Sequence, residues 1–79
     1  MVEAYLEILP CNNGSCEPIL RYLNGFKDHN SSRIKEAYIT DWNNVFARIE
    51  CEDHAKLRGF MCMLKVFGYA KSVYGLIVL

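Results

Sequence analysis

Hydrophobic and polar residues alternate in four segments of this chain and follow helical spacing in two others. In the first segment every second residue is apolar, the period of a strand with one buried face. Its apolar positions are Val2, Ala4, Leu6 and Ile8, and its outward positions are Glu3, Tyr5 and Glu7. The run predicts a strand that ends at the turn-forming segment 10–15.

A first helix is predicted after that turn. Ser15 is a candidate N-cap, Glu17 suits the positive end of a helix, and Pro18 is tolerated in the first turn. The apolar positions then recur at helical spacing: Ile19, Leu20, Tyr22, Leu23 and Phe26. Asn24 and Gly25 predict the end of the helix, and residues 27–33 are polar enough for a surface loop.

Residues 34–50 predict a β-hairpin. In its first strand the pattern places Ile34, Glu36, Tyr38 and Thr40 on one side and Lys35, Ala37 and Ile39 on the other. Residues 41–44 form the turn. In the second strand Val45, Ala47 and Ile49 alternate with Phe46, Arg48 and Glu50.

A second helix is predicted from the N-cap candidate Asp53 to the C-cap candidate Gly68. Its apolar face is made of Leu57, Phe60, Met61, Leu64 and Phe67. Gly59 costs a helix interior about 1 kcal/mol relative to Ala. We expect it to mark a close approach of the helix to the sheet.

The last segment, 74–79, is apolar on both faces of a strand. Tyr74, Leu76 and Val78 share one face, and Gly75, Ile77 and Leu79 share the other. A chain of 79 residues has helices enough to cover only one face of its sheet. We therefore expect a second polypeptide on the other face, and so an oligomer.

These elements predict one domain, 1–79, of class α+β. The order strand, helix, strand, strand, helix, strand folds into a ferredoxin-like βαββαβ arrangement. We expect a four-stranded antiparallel sheet with both helices on one face.

Composition narrows the functional classes. Nine basic and nine acidic residues balance, and the basic residues form no run, which argues against nucleic-acid binding by this chain. Acidic residues at the amino terminus predict no signal peptide, and no apolar run approaches the roughly 20 residues of a membrane span. We expect a cytoplasmic protein whose four cysteines are thiols.

The segments from residue 34 onward also carry a resemblance. Residues 34–40 (IKEAYIT), 45–50 (VFARIE), the helix from Asp53 and residues 70–79 (AKSVYGLIVL) follow one another in a familiar order. They resemble the effector-binding (RAM) domain of the Lrp/AsnC transcription regulators, in the stand-alone form without a helix-turn-helix that occurs in prokaryotes, notably archaea.

The resemblance implies a homodimer through the open sheet face, a dimeric α/β barrel, and further assembly into higher oligomers. It also implies an amino acid or similar small molecule at a cleft between dimers, and contact with full-length Lrp/AsnC regulators. It implies no cofactor and no DNA binding of the chain's own.

The ligand-binding residues that the resemblance implies lie in the hairpin turn and the last strand. They are Thr40, Asp41, Trp42, Asn43, Asn44, Ser72 and Tyr74. The turn lacks the family's usual glycine and has Asn44 where aspartate is usual, so Asp41 is the candidate partner for an effector's ammonium group. Ordinary turn chemistry accounts equally for Asp41, Asn43 and Asn44. We expect Trp42 to pack at a subunit junction or to line a pocket.

Cys11 and Cys16 support an alternative function as a thiol or soft-metal carrier. Both flank the start of the first helix, where the helix N-terminus is expected to lower the pKa of Cys16. Two cysteines without a nearby histidine form no closed zinc site in one chain, so no metal is predicted. A local disulfide between Cys11 and Cys16 is a second alternative, of the kind found in hyperthermophiles. Cys51 and Cys62 are expected to act as small hydrophobes. A purely structural adaptor is a further alternative.

Enzymatic activity is not predicted. Neither His29 nor His54 has a nucleophile or carboxylate partner in the sequence pattern. Phosphate loops, zinc-protease motifs and nucleotide-binding fingerprints do not occur in the sequence.

Overall fold

The computed structural model describes residues 1–11, 14–25 and 32–78. Its elements are β1 (Val2–Pro10), α1 (Glu17–Asn24), β2 (Ser32–Ile39), β3 (Val45–Cys51), α2 (His54–Val66) and β4 (Ala70–Val78). The strands form one antiparallel sheet in the order β2-β3-β1-β4. The predicted ferredoxin-like α+β class is confirmed.

One face of the sheet, called the inner face here, is packed against both helices. The alternation predicted for β1 and β3 is confirmed, because Ala4, Leu6 and Ile8 are fully buried, as are Val45, Ala47 and Ile49. Ile19 and Leu23 of α1 and Leu57, Phe60 and Leu64 of α2 complete the core. Burial of these side chains is the hydrophobic contribution that one chain makes to its own stability.

The alternation predicted for β2 is wrong in its first half. The pairing with β3 shifts between Ile34 and Glu36, which leaves Lys35 as an extra residue in the register. As a result Ile34 and Ala37 both pack against the core, while Lys35 reaches carboxylates on the opposite face. Ser32 and Arg33 also belong to this strand rather than to a loop.

The ends of the helices follow local capping chemistry. The backbone N–H of Glu17 donates to Ser15 Oγ over 3.1 Å, although Cys16 occupies the N-cap position itself. Asp53 caps α2 as predicted, because its Oδ1 accepts from the Lys56 N–H at 2.8 Å. Gly25 follows the last residue of α1, as the sequence predicted.

Gly68 ends α2 in a Schellman motif. Its φ of 80° is a left-handed conformation that favours glycine. The N–H of Tyr69 donates to the Leu64 carbonyl at 3.0 Å, and the N–H of Gly68 donates to the Lys65 carbonyl at 3.1 Å. Both bonds satisfy carbonyls that a helix end would otherwise leave free.

Gly75, rather than Gly59, is the glycine at a close approach of helix and sheet. A Cβ on Gly59 would have no neighbour within 4 Å, so the expected role is wrong. A Cβ on Gly75 would lie 3.1 Å from Met61 Cε and 3.2 Å from Leu6 Cδ2. Glycine in β4 therefore lets α2 lie close to the inner face.

Two further expectations for α2 are wrong, and others fall outside the described ranges. Phe67 follows the helix and is 56% exposed, and Cys62 is exposed rather than a small core hydrophobe. The positions of Phe26, His29 and Leu79, and residues 27–31 of the loop predicted over 27–33, lie outside the described residues. Neither helix of the described ranges is long and apolar enough to cross a membrane.

Candidate functional site

The face of the sheet away from the helices, called the outer face here, is lined by three rows of side chains in register. Each row runs from β2 through β3 and β1 to β4. The rows are Tyr38, Phe46, Glu7 and Tyr74; then Glu36, Arg48, Tyr5 and Leu76; then Arg33, Glu50, Glu3 and Val78. The described elements cover only the inner face.

One end of the outer face is mainly apolar and aromatic. The Phe46 ring lies 5.5 Å from Tyr5 and 5.4 Å from Tyr38 between centroids. Tyr74 is 60% exposed and Leu76 is 69% exposed. Between these side chains lies an open depression of about 290 Å³, called the Glu7 depression here and lined by Tyr5, Leu6, Glu7, Phe46, Tyr74, Gly75 and Leu76.

The other end of the outer face is charged and internally paired. Lys35 Nζ lies 3.1 Å from Glu3 Oε1 and 3.8 Å from Glu50 Oε2. Arg33 Nη2 lies 3.4 Å from Glu50 Oε1, and Arg48 Nε lies 3.6 Å from Glu3 Oε2. A side-chain hydrogen bond with Tyr5, and to a lesser degree the charge of Glu3, raises the pKa of Arg48. Arg33, Lys35 and Arg48 are thus all engaged by carboxylates of the same chain.

The hairpin turn brings five of the predicted ligand-binding residues together. The Thr40 N–H donates to the Asn44 carbonyl at 2.9 Å, and Thr40 Oγ1 donates to the Asn44 side-chain oxygen. Thr40 Oγ1 also accepts from the Trp42 N–H at 3.1 Å, and Asn43 has a left-handed φ of 58°. Turn chemistry therefore explains Thr40, Asn43 and Asn44.

Asp41 and Trp42 project from this turn. Trp42 is 86% exposed, the highest value among the large hydrophobic side chains of the described residues. Asp41 is exposed beside it. These two side chains are the part of the turn that remains available to a ligand or a second subunit.

Ser72 and Tyr74 lie at the far edge of the sheet. They belong to β4, while the hairpin turn joins β2 and β3, and the strand order places β1 between β3 and β4. A single chain therefore does not bring these two residues to the turn. A shared cleft in an oligomer stays a prediction.

Cys16 lies beneath the hairpin turn and is buried. Its thiol donates to Asn43 Oδ1 at 3.5 Å, which links the start of α1 to the turn. Burial, and after it the negative charge of Glu17, raises the pKa of Cys16. The expected lowering is wrong, because loss of solvent outweighs the helix N-terminus at this position.

The cysteines show no built metal site. Among the described residues, no group of three or more His, Cys, Asp or Glu side chains could hold a metal ion. Cys51 is buried as expected, its Sγ lies 3.4 Å from Ser32 Oγ, and burial raises its pKa. The four cysteines are free thiols, as predicted.

Cys16 is expected to react with iodoacetamide much more slowly than the exposed Cys62, because the thiolate is the nucleophile and the Cys16 thiolate is disfavoured. Peptide mass spectrometry after timed alkylation measures both rates. The pKa of Cys16 is higher in the folded chain than in the unfolded chain. The protonated thiol therefore contributes its full stabilisation of the native state below about pH 8.5. That stabilisation is lost as the pH rises through the folded pKa. Equal alkylation rates for the two thiols in the native protein would contradict the burial of Cys16.

The sequence pattern did not show the surroundings of the outward side chains of β1. It placed Glu3, Tyr5 and Glu7 on one side of a strand, but not beside which charges and rings they lie. The central position of β1 between β3 and β4 determines those neighbours.

Comparisons with protein-family models, curated proteins and solved structures found no significant match to this chain.

Proposed function

We propose that this chain is a small-molecule-binding and oligomerisation module of the kind found in Lrp/AsnC regulators, without DNA binding of its own. The observation that carries the proposal is the uncovered outer face with Tyr38, Tyr74, Leu76 and Val78 exposed on it. Contiguous apolar patches of this kind mark interaction surfaces in soluble proteins.

A second copy of the chain is the occupant that fits this face best. The exposed apolar and aromatic side chains of the face give each copy a surface to bury, and a two-fold contact pairs identical patches, as isologous interfaces do. Four strands and seven residues along each span roughly 20 Å by 25 Å. Stable interfaces bury about 800 Å² of accessible surface on each partner, so the contact must use the whole outer face.

The effector belongs at the hairpin turn in this proposal. Asp41 offers a carboxylate to the ammonium group of an amino acid, and Trp42 offers an apolar wall beside it. Association of dimers would cover Trp42, which one chain leaves 86% exposed. Full-length regulators that share the same sheet contact are the proposed protein partners.

Three measurements test the proposal. Sedimentation equilibrium is expected to give at least a dimer mass, since a stable monomer would overturn the assembly. Calorimetric titration with the twenty amino acids is expected to find one effector. In a fluorescence titration that effector is expected to shift the emission of Trp42, the single tryptophan, to shorter wavelength. Asp41→Asn is expected to lower the affinity for that effector about 10-fold, because a charge-assisted hydrogen bond becomes a neutral one. Asp53→Asn, an N-cap substitution away from the turn, is the control. An absence of heat with every amino acid would refute the effector.

The thiol or soft-metal alternative has less support. Cys16 is buried, its pKa is raised, and its thiol is held by Asn43. Each of these features disfavours the thiolate that binds a metal. Zinc and copper titrations beside the amino acids would separate the two functions, because tight metal binding lost in Cys16→Ser would favour the alternative.

A further inference from the structure

Along its three rows and the bulge at Lys35, the outer face carries four carboxylates and three cations. Its acidic residues are Glu3, Glu7, Glu36 and Glu50, and its basic residues are Arg33, Lys35 and Arg48. Glu3 and Glu50 hold the basic residues in ion pairs, and Glu36 lies across from Arg48. Within the described part of the chain, Glu7 has neither an ion pair nor a side-chain hydrogen bond. Glu7 is therefore the carboxylate of these rows that has no cation beside it.

Glu7 is also the carboxylate with aromatic neighbours on both sides. In its row it lies between Phe46 of β3 and Tyr74 of β4. Directly opposed side chains on neighbouring strands have Cβ atoms about 5 Å apart. The rings of Phe46 and Tyr74 thus flank the carboxylate within the Glu7 depression. Ring faces attract cations within about 6 Å, and alkylated ammonium ions are recognised in this way.

We propose that the Glu7 depression binds a small alkylammonium ion. Its carboxylate provides the charge, and Tyr74, Phe46 and Tyr5 provide the ring surfaces. The volume of about 290 Å³ lies at the lower end of ligand sites, which begin near 300 Å³. The ligand is therefore a compact amine rather than a large organic cation.

The ion-paired cations on the outer face of a second copy do not provide this charge. The arginines and the lysine there are already held by Glu3 and Glu50, so using one of them would leave another carboxylate unpaired. The inference rests on the proposed function only in that a second copy would enclose the ion. The depression itself belongs to one chain.

The test is a nitrogen-15 NMR titration of the full chain with tetramethylammonium chloride, against sodium chloride at the same ionic strength. We expect saturable shifts at the amides of Glu7, Phe46 and Gly75 with tetramethylammonium alone. Glu7→Gln is expected to weaken binding at least 10-fold, and Tyr74→Leu about 2-fold to 5-fold through loss of a ring face. Glu52→Gln, an exposed acid outside the sheet, is the matched control and should bind as the wild type does.

Shifts that fail to saturate, or that persist unchanged in Glu7→Gln, would overturn the inference. The oligomer mass measured in the same samples keeps this result separate from the proposed function. A dimer that does not bind tetramethylammonium refutes the ammonium site alone. A monomer that binds it refutes the assembly and leaves the site in place.

Discussion

Replacing Leu76 with Glu is expected to convert the self-associated protein into a monomer. Leu76 lies in the middle row of the outer face beside Tyr5, and it is 69% exposed in one chain. A second copy packed there would bury the new carboxylate without a partner, at a cost of several kcal/mol. Because each 1.4 kcal/mol is a factor of ten, the dimer is expected to weaken at least 100-fold. Sedimentation equilibrium over a range of concentrations measures this change.

Val66→Glu is the control for that experiment. Val66 ends α2, on the helical side of the molecule, and its exposure of 68% matches that of Leu76. A carboxylate at a helix C-terminus costs roughly 0.3 to 1 kcal/mol, which leaves the fold intact and the outer face unchanged. An unchanged dimer in Leu76→Glu, or an equal loss in Val66→Glu, would contradict assembly through the outer face.

The parts of the fold that the sequence predicted are those that local pattern determines. The alternation in β1 and β3 and the helical spacing around Leu57 and Leu64 report which face is buried, so element order and class followed from them. The bulge at Lys35 depends on how β2 aligns with β3, which no pattern within β2 records. The sequence pattern also could not show that the close approach lies at Gly75 rather than at Gly59. That point depends on how α2 packs against the sheet in three dimensions.

The features of the candidate site also include some that the sequence predicted and some that it could not. The turn from Thr40 to Asn44 is local, and its residue types predicted it. The raised pKa of Cys16 was not predictable, because burial under the hairpin turn outweighs the nearby helix end. The unpaired state of Glu7 also required the register, since the pairing places Glu7 beside Phe46 and Tyr74 and places Glu3 beside Glu50.

Leu64→Ala is expected to destabilise the folded chain by about 2 to 5 kcal/mol, the usual range for a buried leucine that leaves a cavity. Leu64 is fully buried in α2, and Met63 beside it is 43% exposed. A domain of this size has about 3 to 5 kcal/mol of stability from one core, so the variant should be largely unfolded at low concentration. Met63→Ala, the matched control, should stay folded. Circular dichroism during urea unfolding measures both.

Assembly makes this loss dependent on concentration. A second copy that binds only the native chain stabilises it by mass action, so Leu64→Ala is expected to regain helical signal as its concentration rises. The double variant Leu64→Ala, Leu76→Glu should not regain it, because its outer face no longer binds a second copy. Recovery in the double variant equal to that in Leu64→Ala would show that the stabilising contact lies elsewhere than on the outer face.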